Sequence, residues 1–135
     1  LSLVAAMALG LLACDKTRPT PNAAPSIAGI DAIACVDRVC DVVFRVVDAD
    51  GEPVDLTISC ERTAGECSLT DEPGTDGRSG LEPDRSAPGR THLLRLGFEG
   101  PEPTEKLKLR LVPTDTREAA GEAFTSPGFT LAAGL

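Results

Sequence analysis

Val54-Asp55-Leu56-Thr57-Ile58-Ser59-Cys60 is the stretch whose reading decides the fold. Apolar side chains fall at every second position, with Asp55, Thr57 and Ser59 between them. Successive residues of an extended chain point to opposite faces, so this pattern describes a half-buried β-strand. The same alternation recurs at Leu107, Leu109 and Leu111, set against Lys106, Lys108 and Arg110. Cys40, Val42, Phe44 and Val46 line one face of a third strand, while Val43 and Val47 make its other face partly apolar. Thr91–Phe98 is a fourth, with His92, Leu94, Leu96 and Phe98 on one side. Ile27–Ile33 and Gly128–Ala133 read as weaker strands. Asp48-Ala49-Asp50-Gly51 and Pro113-Thr114-Asp115 supply the clearest breaks. Thr116–Phe124 has room for a single helical turn. The pattern predicts an all-β domain of about six or seven short strands, arranged as an antiparallel sandwich.

The 135 residues are 41% hydrophobic and only 3% aromatic, with neither Trp nor Tyr. That is enough apolar chain for one core. Asp plus Glu total 21 against 13 Lys plus Arg, a formal charge of −8. Such a balance repels nucleic-acid phosphates, and four Phe leave few platforms on which bases or sugars stack. A nucleic-acid partner is not expected.

Residues 1–13, Leu-Ser-Leu-Val-Ala-Ala-Met-Ala-Leu-Gly-Leu-Leu-Ala, carry no charge. As a helix they would cover about 20 Å, short of the roughly 30 Å hydrocarbon core of a bilayer. Their length suits the apolar core of an export signal. The run starts at Leu1 with no basic segment before it and reads as N-terminally incomplete. Residues 15–25 contain three Pro and no apolar periodicity, the composition of an extended, semi-stiff spacer. Residues 26–135 then form the folded domain.

Leu11-Leu12-Ala13-Cys14 resembles the lipobox of bacterial lipoproteins. The resemblance implies diacylglycerol on the Cys14 sulfur, cleavage before Cys14, and acylation of the new amino group. Leu11, three residues before the cut, is too large for an ordinary secretory site. The alternative leaves Cys14 as a free thiol beside a plain signal or an uncleaved anchor. Two or three acyl chains, at about 0.8 kcal/mol per buried CH₂, anchor a protein stably. Asp15 resembles an inner-membrane retention signal of enterobacteria, a rule that does not hold in all bacteria. The inner and the outer membrane therefore both stay open.

Asp48-Ala49-Asp50-Gly51-Glu52-Pro53-Val54 resembles a segment of bacterial immunoglobulin-like and cadherin-like sandwich repeats. Leu109–Asp115 followed by Gly121–Leu131 is similar to their last two strands. This resemblance covers most of residues 26–133 and implies an immunoglobulin-like sandwich, although the core Trp and corner Tyr of immunoglobulin and fibronectin patterns are missing.

Apart from Cys14, the cysteines are Cys35, Cys40, Cys60 and Cys67, an even number in an exported chain. A two-residue turn at Asp37-Arg38 would set Cys35 opposite Cys40, and a hairpin containing Gly65 would do the same for Cys60 and Cys67. These loops are worth about 2.2 and 2.5 kcal/mol by chain entropy. The rival pairing joins Cys40 to Cys60 across Asp50. A Cys₄ zinc site would need tighter spacing than C-x₄-C and C-x₆-C.

Asp48, Asp50 and Glu52 are hard oxygen ligands in one turn, with Asp115 expected near them at the same end; together they are candidates for Ca²⁺. Gly51 stands fourth rather than sixth and no Glu follows at the twelfth position, so the turn is no EF-hand. The same residues also make an ordinary turn, with Asp48 capping amides and Gly51 at positive φ. His92, the one histidine, falls on an apolar strand face and reads as structural. No nucleophile elbow and no phosphate-binding glycine loop is present, so an enzyme is not expected. Lys106, Lys108 and Arg110 form a basic stripe, either a contact for anionic head groups or a solvated strand face. Asp71–Arg90, with four Gly and three Pro, reads as a mobile loop and as the domain's likeliest contact surface.

The expectation is a lipid-anchored envelope protein facing the periplasm or exterior. Its domain would be a non-catalytic structural or protein-interaction module serving an envelope partner. The alternative is a calcium-dependent adhesion or carbohydrate-contact module.

Overall fold

The computed structural model describes residues 22–135; the leader, Cys14 and the tether up to Pro21 lie outside the described residues. Seven strands follow in order: β1 Ser26–Val36, β2 Val39–Val47, β3 Val54–Arg62, β4 Gly65–Asp71, β5 Arg90–Glu99, β6 Leu107–Asp115 and β7 Phe124–Thr125. All pairings between them are antiparallel, and they form one hydrogen-bonded sheet in the order β1-β2-β5-β4-β3-β6-β7. The sheet curls until it is nearly a barrel. Its two free edges approach each other, with the Leu135 amide donating to the Ile33 carbonyl of β1 at 2.8 Å.

Alternation decides which face is buried. Cys40, Val42, Phe44 and Val46 of β2, Val54, Leu56, Ile58 and Cys60 of β3, and Leu107, Leu109 and Leu111 of β6 all turn inward. Leu94, Leu96 and Phe98 join them from β5, and Phe129 packs edge-on against Phe98 with ring centroids 6.0 Å apart. Polar residues between these positions face solvent, which is how an antiparallel sheet divides its two faces.

Both local disulfides form, Cys35–Cys40 across the β1–β2 hairpin and Cys60–Cys67 across β3–β4. In each, the two cysteines are direct cross-strand partners. The Asp37-Arg38 turn takes φ of 51° and 68°, the two positive values that match a tight turn to the strand twist. Arg38 holds this strained turn down. Its Nε donates to the Phe98 carbonyl at 3.1 Å and its Nη2 to Pro101 at 2.7 Å.

Three sequence expectations need correction. Pro113-Thr114-Asp115 is no break but the end of β6, with Pro113 opposite Leu56. The Leu56 amide turns away from Pro113 to the Arg78 carbonyl, so this pair exchanges no ladder bonds and the missing proline N–H leaves no gap. The last strand is not Gly128–Ala133. The chain instead runs beside β6 through Ala120, Phe124–Thr125 and Phe129, and then turns at residues 131–133.

The third correction concerns Asp71–Arg90. β4 bridges β3 and β5 only over their far halves, at Cys60–Arg62 and Leu96–Glu99. Where β3 and β5 part, residues 72–90 fill the gap. Leu81 exchanges backbone bonds with Val54 at 2.8 and 2.9 Å, and its side chain is core, 2% exposed. Asp84 bonds Val46 and Asp48 in the same way. The segment is tied to the barrel wall rather than hanging free of it.

Candidate functional site: a buried acidic cluster where β1 begins

The strand directions gather several chain ends at one end of the sheet. β1 starts there, β2 leaves into the 48–51 turn, β3 starts, and β6 finishes at Asp115, the partner of Val54. Within the turn, Asp48 Oδ1 accepts the Asp50 amide at 2.8 Å and the Asp48 carbonyl accepts the Gly51 amide at 2.8 Å. Gly51 adopts φ 71°, a conformation glycine takes at little cost. Arg85 lies across the turn and donates to the Ala49 carbonyl at 3.4 Å.

One oxygen each from Asp48, Glu52 and Asp115 lies within 4.8 Å of the others. Asp48 is 0% exposed and Asp115 is 4% exposed. Asp115 Oδ1 accepts the amides of Arg117 and Ala119 at 2.9 Å each, and its Oδ2 accepts Asn22 Nδ2 at 2.7 Å. Glu52 Oε1 accepts the Thr116 hydroxyl and faces Arg117 Nε at 3.4 Å. Three oxygens at this end are buried with no partner: Asp48 Oδ2, Glu52 Oε2 and Asn22 Oδ1. A buried acceptor left unbonded costs about 1–3 kcal/mol.

Electrostatics separate the two aspartates. Burial pushes the Asp48 carboxyl above its ordinary value, opposed by the Asp50 amide and reinforced by the charges of Asp50, Asp115 and Glu52. Burial also pushes Asp115 upward, but the Ala119 and Arg117 amides and the Asn22 side chain outweigh it and leave Asp115 below the ordinary value. One carboxylate is therefore well solvated by protein dipoles and its neighbour is not. The donor set is all oxygen, which suits a hard cation and not zinc.

The structure gathers part of the expected set. Asp48 and Glu52 are in the cluster, and Asp115 joins them from β6 as anticipated. Asp50 is not, because its Oδ2 turns outward to accept the Ala23 amide at 2.9 Å. Asn22 was assigned to the spacer, and nothing in its local sequence marks it as part of this end.

The other candidates lie elsewhere. His92 is 9% exposed and stacks beside Phe44, with centroids 5.9 Å apart. Its Nδ1 faces Asp76 Oδ2 at 3.1 Å and its Nε2 the Glu82 carbonyl at 2.7 Å, so both nitrogens hold the 72–90 segment in place. Lys106, Lys108 and Arg110 are exposed, and the two lysines line a shallow cleft with Glu61, Arg62 and Thr63. This cleft sits at the start of β6, about 30 Å along the strand from Asp115. The cleft therefore lies at the opposite end of β6 from the acidic cluster.

No protein-family model matches the chain, and neither a curated protein nor a solved structure shows significant similarity to it.

Proposed function

We propose that the chain is a bacterial envelope lipoprotein, anchored through acyl chains on Cys14 and spaced from the membrane by residues 15–25. Its domain is an immunoglobulin-like sandwich that acts as a non-catalytic structural or protein-interaction module in the periplasm or at the cell exterior. The observation that carries this reading is cysteine usage. Two disulfides consume four of the five cysteines, and the fifth, Cys14, ends a thirteen-residue apolar run at Leu11-Leu12-Ala13-Cys14. Disulfides persist on the export side, where lipobox cysteines are acylated. The strand order supports the immunoglobulin-like reading: β1-β2-β5 and β4-β3-β6-β7 make two groups joined by the short β4–β5 pairing, and the chain crosses between them after β2, after β4 and after β5.

The test is expression of the full chain in a bacterium with labelled palmitate. The label should enter the wild-type protein, the protein should partition into detergent, and Cys14→Ala should lose both properties. Unlabelled protein in the aqueous phase would contradict the proposal.

A second reading, the calcium-dependent contact module, is favoured in its cation half by the unpartnered oxygens of Asp48 and Glu52. Its carbohydrate half finds no Trp or Tyr on which a sugar could stack.

A further inference from the structure

The cluster at the tethered end contains a residue that does not belong to the sheet. Asn22 lies four residues before β1, and its side chain reaches Asp115 on the last long strand. The next residue, Ala23, gives its amide to Asp50. The tether therefore enters the domain across the acidic turn, held by one bond to each side of it. Asn22 Oδ1, Asp48 Oδ2 and Glu52 Oε2 are all buried and unbonded. Asp48 is wholly shielded from solvent, so no bulk water reaches its free oxygen. The charges facing this space are the carboxylates of Asp48, Glu52 and Asp115, with Asp50 turned outward. Arg117 stands against Glu52 on one side and Arg85 covers Ala49 and Gly51 on the other. Negative charge remains in excess.

We propose that Asn22, Asp48, Glu52 and Asp115 form a Ca²⁺ site shared between tether and domain, so that the cation locks the tether onto the acidic end. The proposal rests on the cation half of the second reading and adds to it the tether's own ligand. Ca²⁺ takes six to eight oxygens in flexible geometry, so three carboxylates and one side-chain amide leave places for water. Mg²⁺ demands a stricter octahedron and gives up its water reluctantly, and the all-oxygen set offers zinc no nitrogen or sulfur. A site with this ligand count on an exported domain belongs to the weak class, with a dissociation constant on the order of 0.1–1 mM. Cation binding satisfies the stranded oxygens and pins Asn22 and Ala23 to the acidic end.

The experiment uses the full chain in detergent, stripped with EDTA and titrated with CaCl₂, with MgCl₂ as a comparison. Calorimetry should detect binding in the range above. At ten times the dissociation constant the melting temperature should rise by about 4–8 °C, with a smaller rise for Mg²⁺. Hydrogen exchange at the Ala23 amide should slow on addition of Ca²⁺. Asp48→Asn keeps the acceptor for the Asp50 amide and should lose the calcium response, with Glu52→Gln as a second variant should the first fold poorly. Asn22→Ala should weaken binding several-fold and make Ala23 exchange indifferent to Ca²⁺. No binding to the wild-type chain would overturn the site and the cation half of the second reading together. Binding that survives both carboxylate variants would place the cation elsewhere and overturn the site. Binding that needs Asp48 but ignores Asn22 and leaves Ala23 exchange unchanged would overturn the shared site alone, and the cation reading would stand.

Discussion

The two ends of this domain handle charge and strain in opposite ways. At the far end, two disulfides join the strand pairs that carry the hairpin turns, and Arg38 caps the strained 37–38 turn. There Arg62 meets Glu105 through two bonds of 2.7 and 2.8 Å, and this contact holds the Glu105 carboxyl below its ordinary value. At the end where β1 begins, no disulfide closes a turn among the described residues, β3 and β5 part, and a buried aspartate keeps an oxygen without a partner. The far end is closed covalently, and the other end holds the buried oxygens without a partner.

The largest test of that contrast is Leu81→Ala. Leu81 plugs the core where β3 and β5 separate, so its removal should cost about 2–5 kcal/mol in urea unfolding, as for other buried leucines. A loss under about 1 kcal/mol would mean that residues 72–90 do not close the barrel. Replacing Cys60 and Cys67 together by Ala should cost about 2.5 kcal/mol. It should leave any response to Ca²⁺ untouched, because the staple lies at the opposite end of β3 from Asp115. A calcium response that disappears with the disulfide would break the separation of the two ends.

Gly121→Ala should come next, at about 1–3 kcal/mol. An added Cβ would stand 1.9 Å from the Pro25 carbonyl, so the chain entering β1 must move. Faster exchange at the Ala23 amide in this variant would tie the seat of the tether to that close approach, and unchanged exchange would dissociate them.

Much of the far end was legible in the sequence, and the reasons are local. A period of two marks β3 and β6 and, less strictly, β2, and cysteines five and seven residues apart meet readily across tight hairpins. Leu81 was not legible, because one large apolar residue among four glycines and three prolines carries no period. Pro113 misled for the opposite reason. Its neighbours Thr114 and Asp115 look like turn residues, while the fact that excuses it, a Leu56 amide pointing away, belongs to the tertiary fold. The acidic cluster was half legible. Asp48 and Glu52 share a turn, but Asn22 and Asp115 are 93 residues apart and meet only because β1 begins where β6 ends.

The smallest predicted effect concerns pH. The Leu93 amide, together with His92, holds Asp76 below the ordinary carboxylate value of 3.8, although burial works the other way. A depressed carboxyl contributes stability above 3.8, and that contribution is lost as pH falls through the folded value. Asp76→Asn should therefore lower stability at pH 7 by less than about 1 kcal/mol, since the group is half exposed. It should also flatten the acid limb of the stability curve. An unchanged acid limb would remove Asp76 from the ties that hold residues 72–90.

The most direct measurement is the intact mass and N-terminal peptide of the protein recovered from bacterial membranes. The account predicts a chain that starts at Cys14 and carries diacylglycerol on sulfur and an acyl group on nitrogen, with four cysteines oxidised in the pairs 35–40 and 60–67. A membrane-recovered chain that keeps residues 1–13 and a free thiol at Cys14 would contradict it.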